Sequence, residues 1–332
     1  MMDGQRVDAV LVQWGERLFF PQNRIVSPDL PPRLHGSLHV RAESVRRRIE
    51  ATVVRQAPQV IVKLAGGGRG MRAIAAHFRY ISRNGQLEME DDRGELRTGR
   101  DSVHDIVNQW RYGGSLIEDV SSRREAFNIL LSLPEGFSPG VIRDAARDFA
   151  KASLAGHRYV MVLHEHQASP HVHLVVKAEA VSGERMRPWV GNLRWRETFA
   201  EKLRARGADV EATRQSTRGE NRNYEVLWRL RAKESGVLRT ASEPTRTGEN
   251  YMKSRAQAMQ AWSNIMSALA ESQSPQDRSL ADHIAGFVRR SPFFREVVGK
   301  YDRQADTASQ RWPEPSLGRA SSRIEPGPEM TR

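Results

Sequence analysis

Four of the ten histidines fall within ten residues of the string LHEHQASPHVHLVVK: His164, His166, His171 and His173. Imidazoles gathered this densely can hold a divalent ion or titrate together as a pH-sensitive patch. The spacing favours the ion. His171 and His173 are separated by one residue in a β-rich run, so their rings leave one face of a strand while Val172, Leu174 and Val176 leave the other. If residues 159–164 and 171–178 pair as an antiparallel hairpin through the loop 165–170, a symmetric register sets His164 opposite His171, with facing Cβ atoms only about 5 Å apart. Three buried rings on one face would leave several ring nitrogens to satisfy away from water, which an ion would do. Three histidines with one position open are more typical of a catalytic metal than of a structural one. His166 falls in the turn.

The chain has 332 residues and no cysteine, which removes thiolate nucleophiles, disulfides and Cys-ligated zinc or iron–sulfur centres. Any nucleophile is then sought among hydroxyls and any metal ligands among histidines and carboxylates. Lys and Arg number 52 against 40 Asp and Glu, a formal charge of +12, which points to a polyanionic partner such as nucleic acid. With 39% hydrophobic and 28% charged residues, the composition is that of a folded globular protein. There is no apolar run of membrane-spanning length, and Asp3, Arg6 and Asp8 do not resemble a secretory leader. The expected setting is cytoplasmic, without membrane insertion.

The elements that must position the histidines can be read around them. Val60, Ile61, Val62 and Leu64 form a strand that ends in Gly66, Gly67, Gly68 and Gly70, and Met71, Ile74, Ala75, Phe78 and Ile81 then recur at helical spacing until Gly85. A helix over 101–112, a buried strand over Phe127–Leu133 and a helix capped by Ser138 and Pro139 follow. After the two histidine strands a further helix runs over 193–206. This alternation predicts an α+β sandwich within the broad α/β class, a sheet covered by helices. The expected division is an N-terminal extension over 1–56, a catalytic domain over 57–215, a helical C-terminal region over 216–310 and a disordered tail over 311–332. Within the extension, Ala9–Val12 reads as a weak strand. Met252, Ala256, Met259, Trp262, Met266 and Leu269 read as the core stripe of a helix.

The glycine run lacks both the GK[ST] ending of a P-loop and the GxGxxG spacing of a dinucleotide turn, so ATP binding is not expected. Its expected role is to start a helix close to the sheet, with backbone N–H groups near DNA phosphate. Arginines and aromatics interleave in Arg185, Arg187, Trp189, Arg194, Trp195 and Arg196, and again in Arg222, Tyr224, Trp228, Arg229 and Arg231. Such interleaving can grip single-stranded DNA, or it can be a solvated helix face with buried Trp anchors. Glu88, Glu90, Asp91 and Asp92 read as a solvated acidic loop.

The segment VIVKLAGGGRGMRAIAAHFRYISRNGQLE, followed some eighty residues later by HEHQASPHVHLVVK, resembles the plasmid-mobilisation or conjugative relaxases, in particular the T-DNA border endonuclease type. These belong to the HUH endonucleases, named for two histidines around a hydrophobic residue, here His171, Val172 and His173. The resemblance spans about residues 58–215 and includes the RYISRNG block and the LSLPEG strand end. It implies an HUH relaxase-like antiparallel sheet flanked by helices, a nucleophilic tyrosine at Tyr80 and metal ligation by His164, His171 and His173. It also implies a bacterial protein that nicks and rejoins one strand at a transfer origin (oriT) through a 5′-phosphotyrosyl intermediate and can travel with the DNA. A type IV coupling protein and relaxosome accessory proteins are the partners it implies. Two positions depart from the pattern: His166 stands where many relatives have an acid, and Lys177 where they often have Asn.

Residue chemistry is compatible with this. A tyrosine hydroxyl can form a covalent phosphate ester, and His77, Tyr80 and Asn84 fall on the side of their helix away from its apolar stripe. Lys63, Arg79 and Arg83 are placed to stabilise a phenolate electrostatically, and Arg79, Arg83, Arg187 and Arg194 are candidate DNA contacts. An all-imidazole site suits Mn, Zn or Ni, whereas the family resemblance points to Mg or Mn. Other readings are a rolling-circle replication initiator, an HUH transposase, or a non-enzymatic DNA-binding accessory protein with a structural metal. In many replication initiators the tyrosine follows the HxH; here it precedes it.

Overall fold

The computed structural model describes residues 3–20, 34–165, 169–220 and 248–298. His166, the interleaved string from Arg222 to Arg231 and the expected tail 311–332 lie outside the described residues. The centre is a six-stranded sheet built from β1 (Ile61–Leu64), β2 (Met89–Asp91), β3 (Leu96–Arg97), β4 (Ala126–Ser132), β5 (His157–His164) and β6 (His171–Ala180). Their order across the sheet is β1-β4-β6-β5-β2-β3, and each neighbouring pair is antiparallel. The expected α+β architecture is therefore the observed one.

Alternation along the central strands splits the core in two. Val172, Leu174 and Val176 of β6 face α5 (Pro139–Ser153) and α6 (Pro188–Arg204), where Phe149 meets Trp195 and Phe199 edge to face at 6.3 and 6.0 Å. Val175 and its neighbours Val160 and Val162 face α3 (Met71–Ile81) and α4 (Arg100–Tyr112), which are joined by an edge-to-face contact of Phe78 with Trp110 at 5.0 Å. Trp195 is thus a buried core anchor, and this resolves the two readings left open for that residue.

The glycine run brings α3 onto the sheet. A Cβ on Gly67 would sit 2.1 Å from the Ala126 carbonyl oxygen, and Gly70, at φ +92°, would clash with the backbone of Asp119 and Val120. The amides of Gly68, Met71 and Arg72 are occupied by the carbonyls of Ala126, Glu118 and Asp119. Those three donors are satisfied within the chain and are not available to a DNA phosphate.

The helices outside the sandwich pack together. In α1 (Gly4–Phe19), Val7, Leu11 and Leu18 bury one face, and α2 (Leu38–Ile49) buries Ala42, Val45 and Ile49 before a π-helical turn at Glu50–Val54. They share a core with α7 (Glu249–Ala270) and α8 (Pro275–Arg290), centred on Trp262, which meets Phe19 edge to face at 5.9 Å. Ala9–Val12 is therefore helical, not a strand: the 3–4 spacing of apolar residues over sixteen positions, completed by α7, overrides a local β-branched run. On α7 the buried face is Ala258, Ala261, Trp262, Ile265, Ala268 and Leu269, with Met259 and Met266 packed at its margin.

Contacts at Thr217 and at Arg48 join these helices to the rest of the chain. The Trp262 indole N–H donates to the Thr217 carbonyl at 2.7 Å while the Thr217 hydroxyl donates to Leu18 O at 2.9 Å. Arg48 of α2 reaches Glu197 on α6 at 2.5 Å and Glu211 at 2.9 Å, with its guanidinium over the Phe20 ring.

The acidic run is corrected at two of its four positions, while Glu88 and Asp92 are exposed as expected. Glu90 and Asp91 are buried residues of β2. Arg147 of α5 clamps the Glu90 carboxylate with two donors, and Asp91 accepts from the amides of Arg93 and Glu95 to close the β2–β3 turn. A partner from a distant helix turns what looks like a solvated charge run into a strand.

Candidate active site

The hairpin register brings the histidines together. His164 of β5 pairs directly with His171 of β6, and His173 lies two positions along on the same face. The ring centroids are 4.5 Å apart for His164–His173 and 5.0 Å for the other two pairs. All three residues are buried, and one ligand atom from each lies within 4.8 Å of the others. Among the described residues this is the one group of three or more histidines and acids arranged to hold a metal.

Backbone carbonyls orient two of the rings. His164 Nε2 donates to the Ile81 carbonyl at 2.7 Å and His171 Nδ1 donates to the Ser169 carbonyl at 3.0 Å. In these tautomers His164 Nδ1 and His171 Nε2 carry the lone pairs, the arrangement that presents neutral imidazoles to a cation. The donor set therefore fits a divalent ion: three imidazoles in a buried cluster, two of them oriented through the other ring nitrogen.

Tyr80 occupies the last turn of α3, beside this cluster. The helix buries Met71, Ile74, Ala75, Phe78 and Ile81, which leaves Tyr80 on the outer face and 38% exposed. Its ring centroid lies 6.3 Å from that of His173 with the planes at 80°, and His77 lies 6.1 Å from Tyr80 and 6.3 Å from His173. The phenol is open to a macromolecule, while the imidazoles behind it are not. Tyr159 is the opposite case: burial, then the nearby Asp92, Glu90 and Asp91, pushes its phenol up to about 12, which disfavours the phenolate a nucleophile needs.

Two buried serines were not identified as site residues from the sequence. Ser82 ends α3: its hydroxyl donates to the Phe78 carbonyl at 2.7 Å and accepts from the Gly85 amide at 3.1 Å, pinning a turn in which Arg83, Asn84 and Gly85 all have positive φ. Asn84 is accordingly a residue of this turn, beyond the helix whose outer side it was expected to share. Ser132 pairs with His171 across β4 and β6, and its hydroxyl lies 3.2 Å from the Pro170 carbonyl, steadying the chain just before His171. The only sequence signal for either is a serine next to a glycine turn or at a strand end.

The remaining candidates are dispersed. Lys63 shares a row of the sheet with Leu130 and His173, two strands from the latter, which is about 10 Å at ordinary strand spacing. Arg79 and Arg83 are exposed beside Tyr80. Lys177 stands at the other end of β6, where it donates to the Gly113 carbonyl at 2.7 Å and caps the end of α4; burial pushes its ammonium below the ordinary lysine range. Arg187, at the start of α6, and Arg194, on that helix, belong to the layer on the opposite face of the sheet from α3.

An antiparallel sheet carrying a three-histidine cluster beside a helix-borne, exposed tyrosine defines a class of site suited to phosphodiester chemistry. Residues 80–208, less than half of the chain, match the family model described as relaxase, MobA/VirD2-like, nuclease domain, and this supports a relaxase family assignment. The matched span begins at Tyr80 and includes all three histidines of the cluster. Among curated proteins, none matches this chain. A relaxase nuclease domain supports a DNA-nicking role and contact with DNA. No described helix is long and apolar enough to cross a membrane.

Proposed function

We propose that the protein is a relaxase that nicks and rejoins one strand of DNA at a transfer origin, with Tyr80 as nucleophile and His164, His171 and His173 as ligands of a divalent metal. The carrying observation is the 6.3 Å approach of the exposed Tyr80 ring to His173 of the buried triad. That approach sets the phenol at the edge of the histidine cluster.

The Tyr80 hydroxyl attacks phosphorus, a P–O bond to tyrosine forms, and the bond from phosphorus to the 3′ oxygen breaks. The phenol proton leaves to water and the departing 3′ oxygen takes one up, so the products are a 5′-phosphotyrosyl link and a free 3′ hydroxyl. One ester replaces another, so the reverse reaction can reseal the strand. When bound, Mg or Mn supplies charge neutralisation on the non-bridging oxygens of the phosphate. His164 and His171 hold their rings ready through their hydrogen bonds to carbonyls, and α3 holds the phenol in place.

On this reading residues 57–215 form the nuclease domain, and a type IV coupling protein and relaxosome accessory proteins are its partners. The test is incubation of the purified chain with Mn or Mg and single-stranded oligonucleotides from the transfer origin of its own replicon, followed by denaturing electrophoresis. A covalent adduct that disappears in Tyr80→Phe is expected. An adduct that survives this substitution would overturn the nucleophile assignment.

A further inference from the structure

The arginines of the described chain divide into two groups. One group is neutralised: Arg147 by Glu90, Arg185 by Glu125, Arg206 by Asp148, Arg48 by Glu197 and Glu211, and Arg55 by Asp209. On α3, Arg72 and Arg79 are exposed and make no ion pair among the described residues. Asp119, whose backbone carbonyl accepts from the Arg72 amide, has its carboxylate bridged to Arg111 instead, at 2.6 Å. The two arginines are seven residues apart, two helical turns, so they lie one above the other about 10 Å apart along the axis. Ala73 and Ala76 are the exposed residues beside them on the Tyr80 side of the helix, a low floor between Tyr80 and the start of α3.

From this we propose that the outer face of α3 is a track for the DNA flank on the 3′ side of the nick, with Arg79 and Arg72 each neutralising a phosphate as the strand runs from Tyr80 toward Gly70. The polarity rests on the nicking chemistry proposed above. In an in-line displacement the departing 3′ oxygen lies opposite the attacking phenol oxygen, so the upstream strand leaves on the side away from α3. The downstream strand stays bonded to phosphorus and to Tyr80, and the helix that carries Tyr80 presents Arg79 and Arg72 on the same exposed side without an ion pair among the described residues. The track would keep hold of the strand to be transferred while its 5′ end is covalently bound.

The test uses the full chain with Arg72 and Arg79 both changed to Gln. Binding of labelled oligo(dT) of about 20 nucleotides is measured against salt in a Tyr80→Phe background, which needs no cognate sequence. Each lost phosphate contact lowers the salt slope by about 0.7 for single strands, so the pair lowers it by about 1.4 and makes the affinity lost between about 50 and 200 mM salt about sevenfold smaller. An unchanged slope, with an unchanged thermal midpoint, overturns the track. Adduct formation with Tyr80 intact then assigns the flank. Cutting the cognate oligonucleotide to one nucleotide on the 3′ side should erase the difference between the Arg and Gln proteins, while cutting the 5′ side should preserve it. The reverse pattern overturns the polarity. A lowered slope with no adduct from the unsubstituted chain would sink the relaxase reading and leave the cationic track standing.

Discussion

His164 Nε2 donates to the Ile81 carbonyl at 2.7 Å, and Ile81 directly follows Tyr80 on α3. A ring of the buried triad is thus fastened to the helix that carries the exposed phenol. The cluster and the tyrosine come from strands and a helix some eighty residues apart in sequence, and this bond sets their spacing directly. Ser82 holds the same helix end from the other side.

Removing a triad ring should be read first in metal affinity. His171→Ala is expected to weaken Mn binding, measured by calorimetry, by more than the roughly 10- to 100-fold typical of losing an orienting partner. Affinity of the unsubstituted chain should fall as pH is lowered, because the imidazoles must be neutral to bind. A variant that stays folded and binds Mn equally well would remove the triad from consideration.

Ser82→Ala leaves the Phe78 carbonyl and the Gly85 amide without their hydroxyl partner in a fully buried position, which costs about 1–3 kcal/mol. Gly85→Ala should cost more, since Gly85 has φ +85° and its added Cβ would lie 2.4 Å from the Gly99 backbone. Urea midpoints of the two variants test the ranking.

Arg48→Met should destabilise the fold by about 3–5 kcal/mol, because it strands the buried Glu211 carboxylate without its cation. Replacing Arg48 and Glu211 together by apolar residues should recover much of that loss. Chemical denaturation of the single and double variants checks both expectations.

Lys177 gives a pH prediction. Burial lowers its pKa in the fold, so between that lowered value and the ordinary 10.5 the unfolded chain holds a proton that the folded chain has released. Stability contributed at this position therefore rises with pH through that window. Relative to Lys177→Met, the unsubstituted chain should gain stability as denaturation is repeated from neutral pH toward 10.5, and a difference independent of pH would show that the ammonium is not desolvated.

Much of the site was written in local pattern. The period of two in His171-Val172-His173 put both rings on one face whatever surrounded them, and the six-residue turn after His164 made a symmetric register the natural one. The glycine run before α3 read correctly as a close approach, because Gly67 leaves no room for a Cβ. Where sequence reading failed, the deciding partner was distant. Ala9–Val12 became helix because α7, some 250 residues away, buries the long amphipathic face, and Glu90 became a strand residue because Arg147 neutralises it. Sequence by itself determined the residue types of the cluster, the spacing of the HxH pair and the absence of any thiol. Tertiary structure decided which nitrogen each oriented ring presents, how near Tyr80 stands to the triad and which arginines keep an unspent charge, since all three depend on contacts between chain segments that no local period encodes.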